Sequence, residues 1–534
     1  MKPRLIVLAA VAATVIGQSL GVAADTNPQP IDFAHNVLGA PAPVTGAVYG
    51  SSPSVKTGTA ICTTDVQAGA NANTDCTEST VGPHNETSIA VNPTNPLNMI
   101  GGANDYQLAL NPGGHVSETI LSRAHVTFDG GQTWSLYPVN SDSAYQATGD
   151  PALAFDAAGN AYYATLGFRF VSSFNATNPD VLVSSSSDGG KTWSTVRVAS
   201  GSGVATSVGD LLDKEYVAAW GNGNAIVTYG DFRLGQKGGF ISARIYSSVT
   251  HNGGQTWSTP VLISGSLDQA FVSTPVVAAD GRIFVSFLNT TDLLTGRDDY
   301  EVVEVSRSTG TALGASVKVA TTIDGFTDYP IAGGRQTYQD SRFRTWAAGN
   351  IAADPTNAAH LAVVWSDMRN STTPAPGDPY TAKTNSDVVV SQSFDRGKTW
   401  SAPVALTLTG DQFMPWGAYD TAGKLRIGMF DRSVDINNHV YAYSLASEQA
   451  SGSLAFMTGL VSDVFSDPTK GDRWFSGFSP NTSFLHPTAF LGDYSNIAAT
   501  ADGHVVAYWT DMRNPVTFAG RAGHGEDAYF GKAG

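Results

Sequence analysis

One eight-residue turn occurs four times in this chain, and a turn repeated at intervals of that kind restricts the chain to a repeat architecture. The copies are Thr127-Phe128-Asp129-Gly130-Gly131-Gln132-Thr133-Trp134, Ser186-Ser187-Asp188-Gly189-Gly190-Lys191-Thr192-Trp193, Thr250-His251-Asn252-Gly253-Gly254-Gln255-Thr256-Trp257 and Ser393-Phe394-Asp395-Arg396-Gly397-Lys398-Thr399-Trp400. The Asp side chain can accept hydrogen bonds from the amides that follow it, and glycine supplies the positive φ of a tight hairpin. Strand-like runs flank each copy, as Asp180 to Ser184 and Ser194 to Val198 flank the second, so the turn joins antiparallel strands and places its Trp for packing.

The first three copies are evenly spaced, and the interval before the fourth is about twice as long. A degenerate hairpin, Glu301 to Ser306 with Ala315 to Ala320, fills that interval; another follows at Val440 to Leu445 with Ser453 to Leu460. Two further strands open each unit, for example Ser88 to Asn92 with Asn98 to Asn104 and Asn350 to Ala353 with Leu361 to Trp365. Four strands per unit make the blade of an all-β propeller. The last unit, Asn496 to Thr500, Val505 to Trp509 and Asp527 to Gly531, is one strand short. Seven four-stranded antiparallel blades are therefore expected, with the segment Ile31 to Tyr49 closing the last one and removing its open edge. Six blades is the alternative, should a degenerate unit be an insertion.

With 534 residues, 56 glycines and only 14% charged residues, the composition suits many short strands and turns. A net charge of −16 without any basic stretch excludes a nucleic-acid partner. Residues 1–24 read as a signal peptide: Lys2 and Arg4, an apolar run from Leu5 to Ile16, then Val22-Ala23-Ala24 as the cleavage site. No later segment reads as transmembrane, so a secreted or periplasmic location is expected. Residues 25–80 form a lead-in rich in Pro, Gly, Ala and Thr, and 81–534 the propeller. Export would make a disulfide between Cys62 and Cys76 the expected state of the two cysteines. No cofactor is expected; the loops Asp292 to Asp299 and Asp463 to Asp472 carry oxygen ligands of the kind Ca²⁺ takes, although such loops are usually only solvated.

The repeated turns of an up-and-down blade crowd one face, which leaves the loops into strand one and out of strand two around the channel mouth on the other. Entry-loop residues there are Glu86, Asp150, Glu215-Tyr216, Arg344 and Asp493-Tyr494. Exit-loop residues are Asp105-Tyr106, Asp231-Phe232-Arg233, Asp367-Met368-Arg369, Asp431-Arg432 and Asp511-Met512-Arg513. Two readings of the repeated Asp-x-Arg pairs stand side by side. In one they serve blade packing; in the other, arginines from three blades converge on one carboxylate, which the guanidinium fork suits. The entry-loop acids vary from blade to blade and are the better candidates for chemistry.

The pattern Ser/Thr-x-Asp-x-Gly-x-Thr-Trp, repeated in a propeller, resembles the Asp-box or BNR repeats of the sialidase superfamily. The structural positions of the resemblance are Asp129, Trp134, Asp188, Trp193, Asn252, Trp257, Asp395 and Trp400. It implies a glycan or glycoconjugate partner at the channel mouth and, for exo-sialidase activity, three kinds of residue. Arg233, Arg369 and Arg513 would form the carboxylate clamp, Tyr494 or Tyr216 the nucleophile with Glu215 or Glu86 as its base, and Asp150 the acid. Asp493 lies beside the tyrosine candidate. The pattern departs from sialidases in lacking an Arg-Ile-Pro motif before the first box and in having seven blades in place of six. A glycan- or protein-binding propeller and a polysaccharide lyase are the other functions compatible with the same residues.

Overall fold

The computed structural model describes residues 63–65, 71–75 and 82–533, apart from 111–115, 173–174, 205–207, 237–238, 293–296, 324–325, 328–335, 339–342, 344, 346, 373–382, 471–490 and 519–520. Seven antiparallel blades follow one another along these residues. Blade 1 comprises His84–Val91, Met99–Leu110, Val116–Thr127 and Thr133–Pro138; blade 2 comprises Ala147–Phe155, Ala161–Phe168, Asp180–Ser186 and Ser194–Ala199. Blade 3 runs from Gly209–Trp220 to Val261–Leu262, blade 4 from Ala270–Val277 to Val317–Ile323, blade 5 from Gly349–Ala353 to Val404–Ala405, and blade 6 from Gln412–Tyr419 to Phe456–Leu460. Both degenerate hairpins are real blades, which rules out the six-bladed alternative.

Blade 7 is built from Asn496–Ala499, Val505–Asp511 and Asp527–Ala533, and its outermost strand comes from the other end of the chain. That strand is Ala72–Asn73, whose residues pair with Phe530 and Tyr529. The expected closing segment, Ile31 to Tyr49, lies outside the described residues, and the strand position assigned to it is held by this shorter piece instead. Thr63–Asp65 adds a fifth strand to the outside of blade 1. Thus the lead-in contributes to both sides of the seam between the first and last blades. The signal peptide and both cysteines also lie outside the described residues.

Inner strands lose the alternation of a half-buried sheet because each has a neighbouring blade on both faces. Ala161–Phe168 and Leu361–Asp367 are buried at every position. Strand one of every blade lines the axis, and residues from all seven, among them Ser88, Ala152, Tyr216, Thr274, Asn350, Trp416 and Asn496, surround a small cavity of about 40 Å³. That is room for a few waters at most.

The repeated turn works as its residues predict. Asp188 Oδ1 accepts from the backbone N–H groups of Lys191 (3.0 Å) and Thr192 (2.9 Å), and Oδ2 accepts from the Thr192 hydroxyl at 2.7 Å. Asp129 and Asp395 make the equivalent bonds to Thr133 and Thr399. Each turn then fixes its tryptophan: the indole N–H of Trp134, Trp193 and Trp400 donates to the carbonyl of Gly131, Gly190 and Gly397. Trp134 is fully buried and packs on Phe530 of blade 7, with ring centroids 5.1 Å apart, so the turn also positions an inter-blade contact.

The third copy shows what the carboxylate contributes. Asn252 Oδ1 still accepts from the Thr256 amide at 3.0 Å, but its amide nitrogen now donates to the Thr256 hydroxyl at 2.8 Å, reversing that bond. Trp257 Nε1, unlike its three counterparts, has no hydrogen-bond partner among the described residues. Hydrogen bonds to a charged acceptor are the stronger kind, so Asn252→Asp is expected to stabilise the protein and Asp188→Asn to destabilise it, each by about 1 kcal/mol. Denaturant unfolding of the two variants checks the opposite signs.

Candidate functional site

The innermost strands share one irregularity. In five blades the ladder between strands one and two breaks register, between Asn85 and Ser88, Gly149 and Ala152, Asp213 and Tyr216, Phe271 and Thr274, and Phe413 and Trp416. Inside each break one non-glycine residue has positive φ: Glu86 at 54°, Asp150 at 57°, Lys214 at 56°, Val272 at 51° and Met414 at 46°. Gly492, shortly before strand one of blade 7, takes the same region at 88°. Such conformations cost about 1–3 kcal/mol each and persist only where the surroundings enforce them. A bulge re-aims side chains, and here it turns residues from separate blades toward the axis.

Four blades meet at Lys214. Its ammonium lies 2.6 Å from Asp150 Oδ2 of blade 2 and 2.8 Å from Asp493 Oδ2, which precedes strand one of blade 7. Glu86 Oε1 of blade 1 and Asp213 Oδ1 of blade 3 each stand 3.7 Å away. The lysine side chain is completely buried, and so, within 2%, are these four carboxylates. Asn104 ties blades 1 and 2 together beneath them, donating to Glu86 Oε2 at 3.1 Å and accepting from the Asp150 backbone N–H at 2.7 Å.

Charge does not balance in this cluster. Counting the buried Glu215, five carboxylates face one ammonium. Burial opposes the charge on Lys214, but Asp150, Asp213, Asp493 and Glu86 outweigh it and hold the lysine protonated. Burial pushes Asp213 up to about 7, with Lys214 opposing and Asp150 and Asp493 reinforcing. Burial also drives Glu215 well above the usual carboxylate range, helped by Asp150, and neither of its oxygens has a hydrogen-bond partner among the described residues. Asp150 is raised by burial, with the ammonium opposing. Burial thus biases Glu215 toward its protonated form, close to carboxylates that share an ammonium.

All six catalytic candidates, Glu86, Asp150, Glu215, Tyr216, Asp493 and Tyr494, are buried around strand one near the axis. Tyr216 and Tyr494 touch edge to face at 5.3 Å, and Tyr216 stacks on Trp416 at 5.4 Å. The Tyr494 hydroxyl donates to the Pro151 carbonyl at 2.9 Å, which is not the carboxylate contact a tyrosine nucleophile needs. Burial, with nearby carboxylates including Glu86 adding to it, raises both phenols well above their ordinary value despite Lys214 beside Tyr216.

The three arginines do not join them. Arg369 grips its own blade's Asp367 bidentately, Nε to Oδ1 at 2.9 Å and Nη2 to Oδ2 at 2.7 Å. Arg513 grips Asp511 in the same way, reaches Asp463 at 2.5 Å and lies over Tyr529. Arg233 is exposed. These are the packing uses that the repeated Asp-x-Arg pairs allow. Arg344 lies outside the described residues. Of the acidic loops, Asp463 is occupied by Arg513 and Asp299 by Lys318 at 2.8 Å.

Lys214 and Asp213 are the residues that sequence reasoning missed. The available signal was spacing: Lys214 follows Asp150 at the same interval at which Asp150 follows Glu86, so the three share one position in the repeat. Removing the ammonium leaves buried carboxylates unpaired, and Lys214→Met is expected to cost about 3–5 kcal/mol at pH 7. In that variant the orphaned carboxylates have folded pKa values above their unfolded ones, so the loss grows as pH rises through the folded values and shrinks as pH falls. Denaturant unfolding of both proteins at pH 5 and pH 8 checks the magnitude and the sign.

The BNR/Asp-box repeat family model matches residues 125–136, the first copy of the turn. No curated protein matches the chain in sequence. Among solved structures, the Hadza microbial sialidase Hz136 is 13% identical with a TM-score of 0.42, covering 78% of this chain and 76% of its own. An α-L-arabinofuranosidase from Fusarium graminearum is 12% identical with a TM-score of 0.42, covering 86% of this chain and 97% of its own. An ulvan lyase is 10% identical with a TM-score of 0.39, over 67% of this chain and 80% of its own. Identities this low say nothing about chemistry. The chain is a BNR/Asp-box repeat β-propeller with seven four-stranded blades.

Proposed function

We propose that the protein is an exported glycoside hydrolase whose acid and base groups belong to the axial cluster, and whose substrate is a neutral glycan in place of a sialoside. The observation that supports this most is the sharing of Lys214 by Asp150 and Asp493 at 2.6 and 2.8 Å, with Glu215, whose carboxyl burial pushes up, adjacent in sequence. Retaining glycosidases pair a carboxylate nucleophile with a carboxylic acid, and this cluster holds candidates for both roles. In this reading Glu215, whose carboxyl is raised by burial, is the acid for the departing glycosidic oxygen, and Asp150 or Asp493, each in contact with the Lys214 ammonium, is the nucleophile for the sugar carbon.

The excess of carboxylates argues for a neutral sugar, since an anionic one would meet like charge without a guanidinium clamp. Arg369 and Arg513 are already spent on Asp367 and Asp511, so the sialidase-type reading has less geometric support. A glycan end has to displace entry-face side chains to reach the cluster, which is buried in the free protein. That burial also favours a second reading, a non-catalytic propeller that binds glycans on its entry face. Export is part of the proposal, and N-terminal sequencing of secreted material is expected to begin at Asp25.

Hydrolysis of a panel of neutral aryl glycosides and one aryl sialoside tests the reading. Release from a neutral glycoside is expected, with a loss of about 100-fold or more in Asp150→Asn or Asp493→Asn and little change in Arg369→Ala. Sialoside hydrolysis that disappears in Arg369→Ala would support the sialidase-type reading. Glycan binding without turnover of any substrate would support the second reading.

A further inference from the structure

Where the last blade meets the first, three pieces of chain bring together residues that belong to neither the axial cluster nor the repeated turn. Asp75 follows the closing strand Ala72–Asn73, His84 begins strand one of blade 1, and Asp527 begins strand three of blade 7. Asp75 is 6% exposed, His84 1% and Asp527 0%, and one ligand atom from each lies within 4.8 Å of the others.

Two observations point to an ion between them. Neither ring nitrogen of His84 has a hydrogen-bond partner among the described residues, and the same holds for Asp527 Oδ1. His84 Nε2 stands 3.5 Å from Asp75 Oδ2 and 3.5 Å from Asp105 Oδ1, too long for charge-assisted hydrogen bonds of about 2.7–2.9 Å. Ligand atoms about 2.1 Å from a tetrahedral ion are about 3.4 Å from one another, so the spacing suits a shared metal better than direct bonding.

We propose that Asp75, His84 and Asp527 bind one divalent transition-metal ion of the Zn²⁺ or Mn²⁺ class, which fastens the closing segment to both the first and the last blade. An imidazole among the donors selects such an ion over Ca²⁺, which takes oxygen ligands. One outer partner is already in place: Asn514 donates to Asp527 Oδ2 at 2.6 Å, fixing that carboxylate. The ion joins residues far apart in sequence, so it stabilises the closed ring against opening at its seam.

The test is metal analysis of the purified full-length chain after incubation with Zn²⁺ or Mn²⁺ and dialysis into metal-free buffer. About one equivalent of metal is expected on the wild-type protein and far less on Asp527→Asn and His84→Ala. A chelator is expected to lower the wild-type thermal midpoint by about 5 °C, with recovery on adding the metal back. If a variant fails to fold, the wild-type stoichiometry and chelator response still decide. Retention of neither ion, with a midpoint indifferent to chelator, would overturn the site and leave His84 as an imidazolium between Asp75 and Asp105.

Discussion

The ammonium of Lys214 is the contact on which the centre of this propeller depends. It joins Asp150 of blade 2 to Asp493 of blade 7 while belonging to blade 3, with Glu86 of blade 1 at its edge. At an effective dielectric near 20, two charges 4 Å apart attract by about 4 kcal/mol, while desolvating each ion costs several. The pairing therefore adds little net stability. It specifies which blades approach and how closely, because a displaced lysine would leave buried carboxylates without their cation.

Two repeated devices divide the work between the faces. On one face the Asp boxes satisfy backbone amides locally and place a tryptophan against the neighbouring blade, as Trp134 does against Phe530. Around the axis, the strand-one bulges keep one backbone conformation but carry Glu86, Asp150, Lys214, Val272 or Met414. Side chains recur in the first device, whereas in the second only the backbone geometry does. The Asp-x-Arg pairs fall in the first class, since Arg369 and Arg513 make the same bidentate contact with the aspartate two residues earlier.

Architecture was legible in the sequence because the Asp box is a local motif: its hydrogen bonds are made within a few residues and need no distant partner. Blade number followed from spacing, and the two degenerate hairpins were visible as strand pairs even without their turns. The closing strand was misplaced because Ala72–Asn73 is only two residues long and lies in a polar stretch, too short for any periodicity to reveal. Glu86, Asp150, Glu215, Tyr216, Asp493 and Tyr494 were singled out as candidates from their position before strand one, and the fold buries all six near the axis; Lys214 at their centre was not singled out. A bulge breaks the two-residue alternation, so adjacent residues such as Lys214 and Glu215 both enter the interior, and alternation alone cannot say which leads. The seam cluster of Asp75, His84 and Asp527 joins parts of the chain too distant for sequence spacing to connect.

Titration of the Lys214 ammonium tests the central claim most directly, by nitrogen-15 NMR of the lysine side chains with Lys214→Arg used to assign the signal. A buried ammonium between Asp150 and Asp493 predicts one slowly exchanging resonance that remains protonated well above the ordinary lysine value of about 10.4. Lysine signals that all exchange rapidly and titrate near that ordinary value would contradict the account.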